Sequence, residues 1–272
     1  MELFRSITSG LIGGMLLPFE MRHAMLSLIP ISLLLGVGML WVFRRTSNQK
    51  AIRATKRRLQ AHLYELRLFT DEPGLVWQAQ KALLRSNLLY IGLMLVPAII
   101  LTAPMLILFA HLEAFYGLAP LPVGREAVIT IEMKQPLDRT ASAPVLEAPA
   151  GITVESPAVR IFDQRQVSWR IRPLRAVSGY LRIRTPDGVV EKKIDAGPGP
   201  RYLSDRRVSS AIDLLWHPTE KRLPEGRIDW IEVRYPAATI HWLGLDLHWI
   251  VWLLIFSMAS ALALKRRFRV SF

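Results

Sequence analysis

Three apolar runs, residues 23–43, 87–111 and 242–264, constrain this chain more than any other feature. Each reaches the length of about 20 residues that lets a helix cross the hydrocarbon core of a bilayer. Lipid offers no partners to backbone N–H and C=O groups, so such runs cross as helices. Asp246, near the start of the third run, is the only Asp, Glu, Lys or Arg within the three. Charges deep in a membrane usually mark ion or proton paths, and the uncharged centres of these runs argue against a pump or channel. Trp41 near the end of the first run, and Trp242, Trp249 and Trp252 in the third, sit where interfacial aromatics belong. Pro97 and Pro104 each remove a backbone hydrogen bond from the second run, a loss to be made good by Thr102, a neighbour or water.

The formal net charge of +13 is unevenly placed. Residues 44–86 hold ten Lys/Arg against three acids, Glu65, Asp71 and Glu72. Lys265, Arg266, Arg267 and Arg269 close the third run. Residues 112–241 are nearly balanced, with 19 basic and 16 acidic residues. Positive charge beside spans stays on the cytoplasmic side. Both basic clusters therefore predict one topology: N-terminus outside, 44–86 cytoplasmic, 112–241 outside, and the 265–272 tail cytoplasmic. In a bacterium this places the chain in the inner membrane.

Within 44–86, Ile52, Leu59, Leu63 and Leu66 make an apolar stripe on a charged helix. Thr70–Gly74 breaks it, and a second helix from about residue 75 carries Val76, Ala79 and Leu83 on one side. The expected form is a basic helical hairpin, with a basic juxtamembrane linker against anionic lipid left open. Residues 1–22 place apolar side chains at helical spacing among Gly and Ser, which predicts a short interfacial amphipathic helix. Residues 112–241 alternate short β-type runs with turn residues. Trp169, Ile171, Leu181 and Ile183 interleave with Arg170, Arg172, Arg182 and Arg184, an apolar face backed by a solvated charged face. About seven strands suit an antiparallel β-sandwich-like domain. The fold class is thus membrane α-helical with a β-rich ectodomain.

The chemistry of catalysis is sparse. Without cysteine there is neither disulfide nor thiol chemistry. The chain lacks a phosphate-binding Gly-rich loop, a His-Glu-x-x-His metal motif and a Gly-x-Ser-x-Gly nucleophile turn. His111 and Glu113 read as a solvated pair at headgroup depth rather than metal ligands. No enzyme activity, cofactor or metal is expected. Ser27, Ser32, Thr102, Ser257 and Ser260 are the candidates for a mildly polar intramembrane groove, with interhelical hydrogen bonding as the alternative role. Arg53, Lys56, Arg57 and Arg58 are the candidate contacts for a client protein or ribosomal RNA.

This order of parts resembles the YidC/Oxa/Alb membrane-insertase superfamily, especially its small three-span, archaeal YidC-like members. The resemblance rests on residues 3–16, 24–43, 44–86, 88–110 and 242–264, and on the exit segment from Phe115 to Pro122. It implies a protein assisting insertion or folding of membrane-protein clients, with the bilayer, nascent chains and the ribosome or translocon as partners. Two departures accompany it. No arginine lies in residues 24–43, where bacterial members carry one, and the β-rich domain sits between the second and third spans. The second departure implies a divergent branch whose ectodomain has its own partner. The other reading is an envelope scaffold, in which that ectodomain carries the interaction and the spans only anchor it.

Overall fold

The computed structural model describes residues 10, 14, 16–19, 23–68, 72–140 and 143–268. Four long helices are present: α1 (Met25–Thr46), α2 (Gln49–Leu68), α3 (Pro73–Leu112) and α4 (Trp249–Phe268). Helices α1, α3 and α4 are long and apolar enough to cross a membrane, and a β-rich region lies between α3 and α4. The protein is accordingly an integral membrane protein. The interfacial helix expected over 1–22 falls largely outside the described residues; within them, Leu17–Phe19 form a 3₁₀ turn and Leu16 is buried.

Local chemistry sets the helix starts. The His23 Nδ1 accepts the Met25 amide at 3.3 Å ahead of α1. The Asn48 side chain accepts the Ala51 amide at 3.0 Å and caps α2. Helix α3 opens on a proline, which costs nothing in a first turn whose N–H groups lack partners. The second arm of the basic segment and the second span are one uninterrupted helix of 40 residues. At 1.5 Å per residue it is roughly 60 Å long, about twice the hydrocarbon thickness. Thr102 does not repair the proline gaps. Its hydroxyl donates to Ala98 O at 2.8 Å, one turn back, rather than to the carbonyls that Pro97 and Pro104 leave free.

The third span starts later than the apolar run. Residues Ile240–Trp242 and Leu245–Leu247 pair as an antiparallel hairpin, and the helix begins only at Trp249. Leu243 and Gly244 both hold positive φ, +51° and +79°, as a type I′ two-residue turn requires. His241 and Asp246 pair across the strands at 2.9 Å. Hydropathy saw continuity here because Trp, Leu and Ile serve a hairpin as well as a helix.

The β-rich region holds β1 (Ala127–Met133), β2 (Val145–Glu147), β3 (Ile152–Val154), β4 (Val159–Ile161), β5 (Gln166–Pro173), β6 (Val177–Thr185), β7 (Gly188–Ala196), β8 (Arg206–Val208), β9 (Ile228–Val233), and the hairpin β10 (Ile240–Trp242) and β11 (Leu245–Leu247). One sheet runs β3-β5-β1-β9-β8, with β4 also on β5, and a second runs β2-β6-β7. All named pairs are antiparallel. Ile129, Trp169, Ile171 and Ile231 of the first sheet share one buried cluster with Leu181, Ile183 and Ile194 of the second. The alternating arginines stand outside it. Arg172 bonds Glu126 and Glu155 at 2.9 and 2.8 Å, Arg182 bonds Glu191 at 3.1 Å, and Arg184 bonds Glu147 at 2.5 Å. Strands β2 and β8 lie outside the β-type runs that the sequence pattern marks.

Among the described residues, two charged side chains are buried in this domain, Lys192 and Asp195. Lys192 is fully buried, with its Nζ donating to Glu220 Oε1 at 2.5 Å and to the Ser204 carbonyl and hydroxyl at 2.6 and 2.9 Å. Burial pulls its pKa below the usual lysine range, and the Glu220 carboxylate opposes that shift. A Ser–Lys pair at 2.9 Å has the reach of a nucleophile and base, but Ser204 is buried and the ammonium is committed to Glu220. The cluster ties β7 to the Ser204 and Glu220 loops. Lys192→Met should destabilise the chain by about 3 kcal/mol by stranding the carboxylate, and adding Glu220→Leu should recover most of the loss. Denaturant unfolding of the detergent-solubilised full chain measures both.

Candidate functional site

The chain divides by contacts into two compact units. Within the described residues, one comprises 29–106 and 252–268, and the other comprises the residues up to 28 together with 107–251.

In the first of these, α1 and α4 approach closely at small residues. A Cβ on Gly36 would collide with the Ser257 carbonyl and crowd the Ser260 side chain. The Ser260 hydroxyl donates to Leu33 O on α1 at 3.1 Å, whereas Ser257 bonds its own helix at Leu254 O, 3.2 Å. Small residues and an interhelical hydroxyl bond are the usual means by which spanning helices associate. Helix α3 is far less covered, and Leu88, Ile91, Leu95, Ile99 and Ile100 are exposed. A groove of about 500 Å³ remains, lined by Gly36, Met39, Leu40 and Phe43 of α1, Leu101 of α3, and Leu254, Ser257, Met258 and Ala261 of α4.

The predicted groove residues do not form one polar surface. Ser257 alone among the five lines this groove. Ser32 and Ser260 are buried, and Thr102 is exposed with its hydroxyl turned onto its own helix. Ser27 belongs to the other unit, bonded to the Tyr116 hydroxyl at 2.6 Å. The groove is therefore apolar rather than mildly polar. The residues missed by sequence reasoning are Gly36, Met39, Phe43 and Met258. The available signal was Gly36 on one run and the Ser257-x-x-Ser260 spacing on another, which together mark a close helix approach.

Arg53, Lys56, Arg57 and Arg58 are exposed on α2, with Arg53 Nε reaching back to Gln49 O at 3.1 Å. Ile52 and Thr55 of the same helix and Ala79 of α3 are buried, while Leu63, Tyr64, Leu68 and Trp77 are exposed. The apolar stripe of α2 is covered near its start and uncovered toward its end.

In the second unit, the end of α3 passes into one π turn, Glu113–Gly117. Such turns bring side chains out of α-helical phase and concentrate at functional places. The turn aims Glu113 at α4, where its Oε2 accepts the Trp249 indole N–H at 2.7 Å. A Cβ on Gly117 would overlap the Glu113 carboxylate, so glycine there leaves room for this placement of the Glu113 side chain. Tyr116 lies against the Trp249 ring, with centroids 6.2 Å apart, and holds Ser27 on α1. The expected solvated pair His111 and Glu113 is not one. His111 is buried and bonds Ile107 O at 2.9 Å, and Glu113 is half-buried on Trp249. The β-domain joins the same turn: Leu203 N donates to Ala114 O at 2.8 Å and Ala238 N to Gly117 O at 2.8 Å.

Among the described residues, no three His, Cys, Asp or Glu side chains come together as a metal site. No family model matches this chain, nor does any curated protein or solved structure.

Trp249→Phe and Glu113→Leu should each destabilise the protein by about 2 kcal/mol, because each strands or removes a charge-assisted bond. Thermal unfolding in detergent should give a double variant well short of the sum, since both substitutions break one contact.

Proposed function

We propose that the protein is an insertase-like membrane protein that assists insertion or folding of membrane-protein clients. The observation that carries this reading is the lateral apolar groove beside the closely packed α1–α4 pair, with methionines Met39 and Met258 in its lining. Methionine is unbranched and polarizable, and it adapts to segments of differing shape. An apolar client segment would shelter there before release into lipid. Helix α2 leaves α1 shortly after Phe43, a groove residue, and presents Arg53, Lys56, Arg57 and Arg58 to the client's flanking acids or to ribosomal RNA. Under the charge rule this places α2 and the C-terminus in the cytoplasm and the sandwich-like β-domain outside, in the inner membrane of a bacterium.

A second reading gives the interaction to the β-domain, as an envelope scaffold with the helices as its anchor. It is favoured by the hydrogen bonds that fasten this domain to the π turn, which make it more than a tethered appendage. Replacing residues 125–236 by a short linker separates the two. Client insertion that survives the replacement counts against the scaffold.

A photo-crosslinking residue at Met39 or Met258 should capture nascent clients, whereas one at Leu88 on the exposed face of α3 should not. Reversing the charge of Arg53, Lys56, Arg57 and Arg58 together should lower client or ribosome crosslinking about tenfold, since an exposed cation beside an anionic surface contributes up to about 1 kcal/mol before screening. No client capture from Met39 or Met258, together with unchanged crosslinking in the charge-reversed α2 variant, would remove the insertase reading.

A further inference from the structure

The base of the β-domain holds a second cavity, of about 800 Å³, which the proposed function does not use. Ligand sites commonly span about 300–1,000 Å³. Its walls are Phe115 and Tyr116 of the π turn and five prolines, Pro120, Pro122, Pro198, Pro200 and Pro236. Proline has no backbone N–H. A polypeptide entering here would lose water from its carbonyls and find few donors in return, at a cost for each group left unpaired. A hydrocarbon chain has no such groups to satisfy.

The polar part of the lining is cationic or neutral, with no carboxylate. It includes Arg125, His23 and His241. The two imidazoles are already engaged, His23 by the Met25 amide and His241 by Asp246. Arg125 is exposed, and among the described residues its guanidinium has no ion pair or hydrogen bond. The adjacent Glu126 does not serve it, being shared by Arg170 at 3.3 Å and Arg172 at 2.9 Å. An exposed guanidinium at the lining, committed to no carboxylate among the described residues, is open to an anion.

Chain connectivity sets the depth of this cavity. His23 and Ala24 immediately precede α1, Phe115 and Tyr116 lie in the turn that ends the second span, and His241 is on the hairpin that leads into α4. All three spanning helices therefore begin or end at its rim. The tip of that hairpin exposes Leu243 and Leu245, at 74% and 53%, beside the start of α4. Apolar side chains at helix-end level suit the headgroup–acyl boundary.

We propose that this cleft binds an anionic phospholipid from the leaflet on the β-domain side, its phosphate on Arg125 and an acyl chain between the prolines and the Phe115–Tyr116 wall. The lipid fills an apolar cleft at headgroup depth and supplies the counter-charge that Arg125 lacks.

The test uses the full-length protein in nanodiscs of phosphatidylcholine, doped with phosphatidylglycerol carrying a photoactivatable group in its acyl chain. Adducts should map to residues 115–123, 197–200 and 236–240, and unlabelled phosphatidylglycerol should displace them where added phosphatidylcholine does not. Arg125→Ala should lower labelling about fivefold, the effect expected of one cation near a lipid phosphate. Arg182→Ala, which removes the same charge from an exposed sheet position paired with Glu191, should leave labelling unchanged. Val123→Trp, on an exposed position at the cleft, should lower labelling without loss of fold. Equal loss in the Arg182→Ala variant, equal competition by phosphatidylcholine, or adducts spread around α3 would overturn the proposal. So would a photo-crosslinker at Val123 that captures polypeptide, from this chain, a second copy or a client, in place of lipid.

Discussion

The bond from the Trp249 indole to the Glu113 carboxylate is the contact on which one end of the membrane part depends. It forms where the chain makes a π turn after Leu112, and glycine at residue 117 leaves room for the Glu113 carboxylate. Around it, Tyr116 stacks toward Trp249 and holds Ser27, so one turn touches the start of the first span, the end of the second and the start of the third. A half-buried carboxylate is costly without a donor, and the indole N–H meets that cost. The β-domain then hangs its own backbone on the same turn through Leu203 and Ala238. Within this unit, one polar cluster thus joins the start of α1, the end of α3 and the start of α4.

Two apolar cavities follow from different causes. In the unit that contains α2, Gly36 lets α1 and α4 come close, and the less covered α3 leaves a groove beside the pair. At the base of the β-domain, the proline-bearing loops are tied by backbone bonds such as Ala119 N to Pro236 O and Gly197 N to Leu121 O, and a larger space remains beside those ties. The first is the groove in which the proposed function would shelter an apolar client segment. The second, with Arg125 at its lining, is fitted to a molecule with a negative head and an apolar body.

Much of this was legible in the chain. Apolar runs of about 20 residues, positive charge at their ends, and period-two alternation in Trp169–Ile171 and Leu181–Ile183 are statements about solvent preference, and solvent preference is local. The runs became α1, α3 and α4, and the alternation became β5 and β6, with the arginines paired outside the core. The groove serines were harder. Their residue type says that a hydroxyl will seek a partner, and it left open both water in a groove and a carbonyl across a helix contact, as with Ser260 and Leu33. The start of the third span was misplaced for a related reason: Trp242 and Leu245 are equally apolar in a span and in a hairpin.

The sequence by itself determined which segments avoid water, which carry charge and where the chain turns, because these depend on side-chain transfer energy and local backbone geometry. Only the tertiary structure decided that Glu113 meets Trp249 across 136 positions, that Gly36 lies against Ser257 and Ser260, and that the proline segments enclose one cleft with Arg125. Those pairings depend on how helices and loops far apart in the chain fill shared space, and no local preference encodes them.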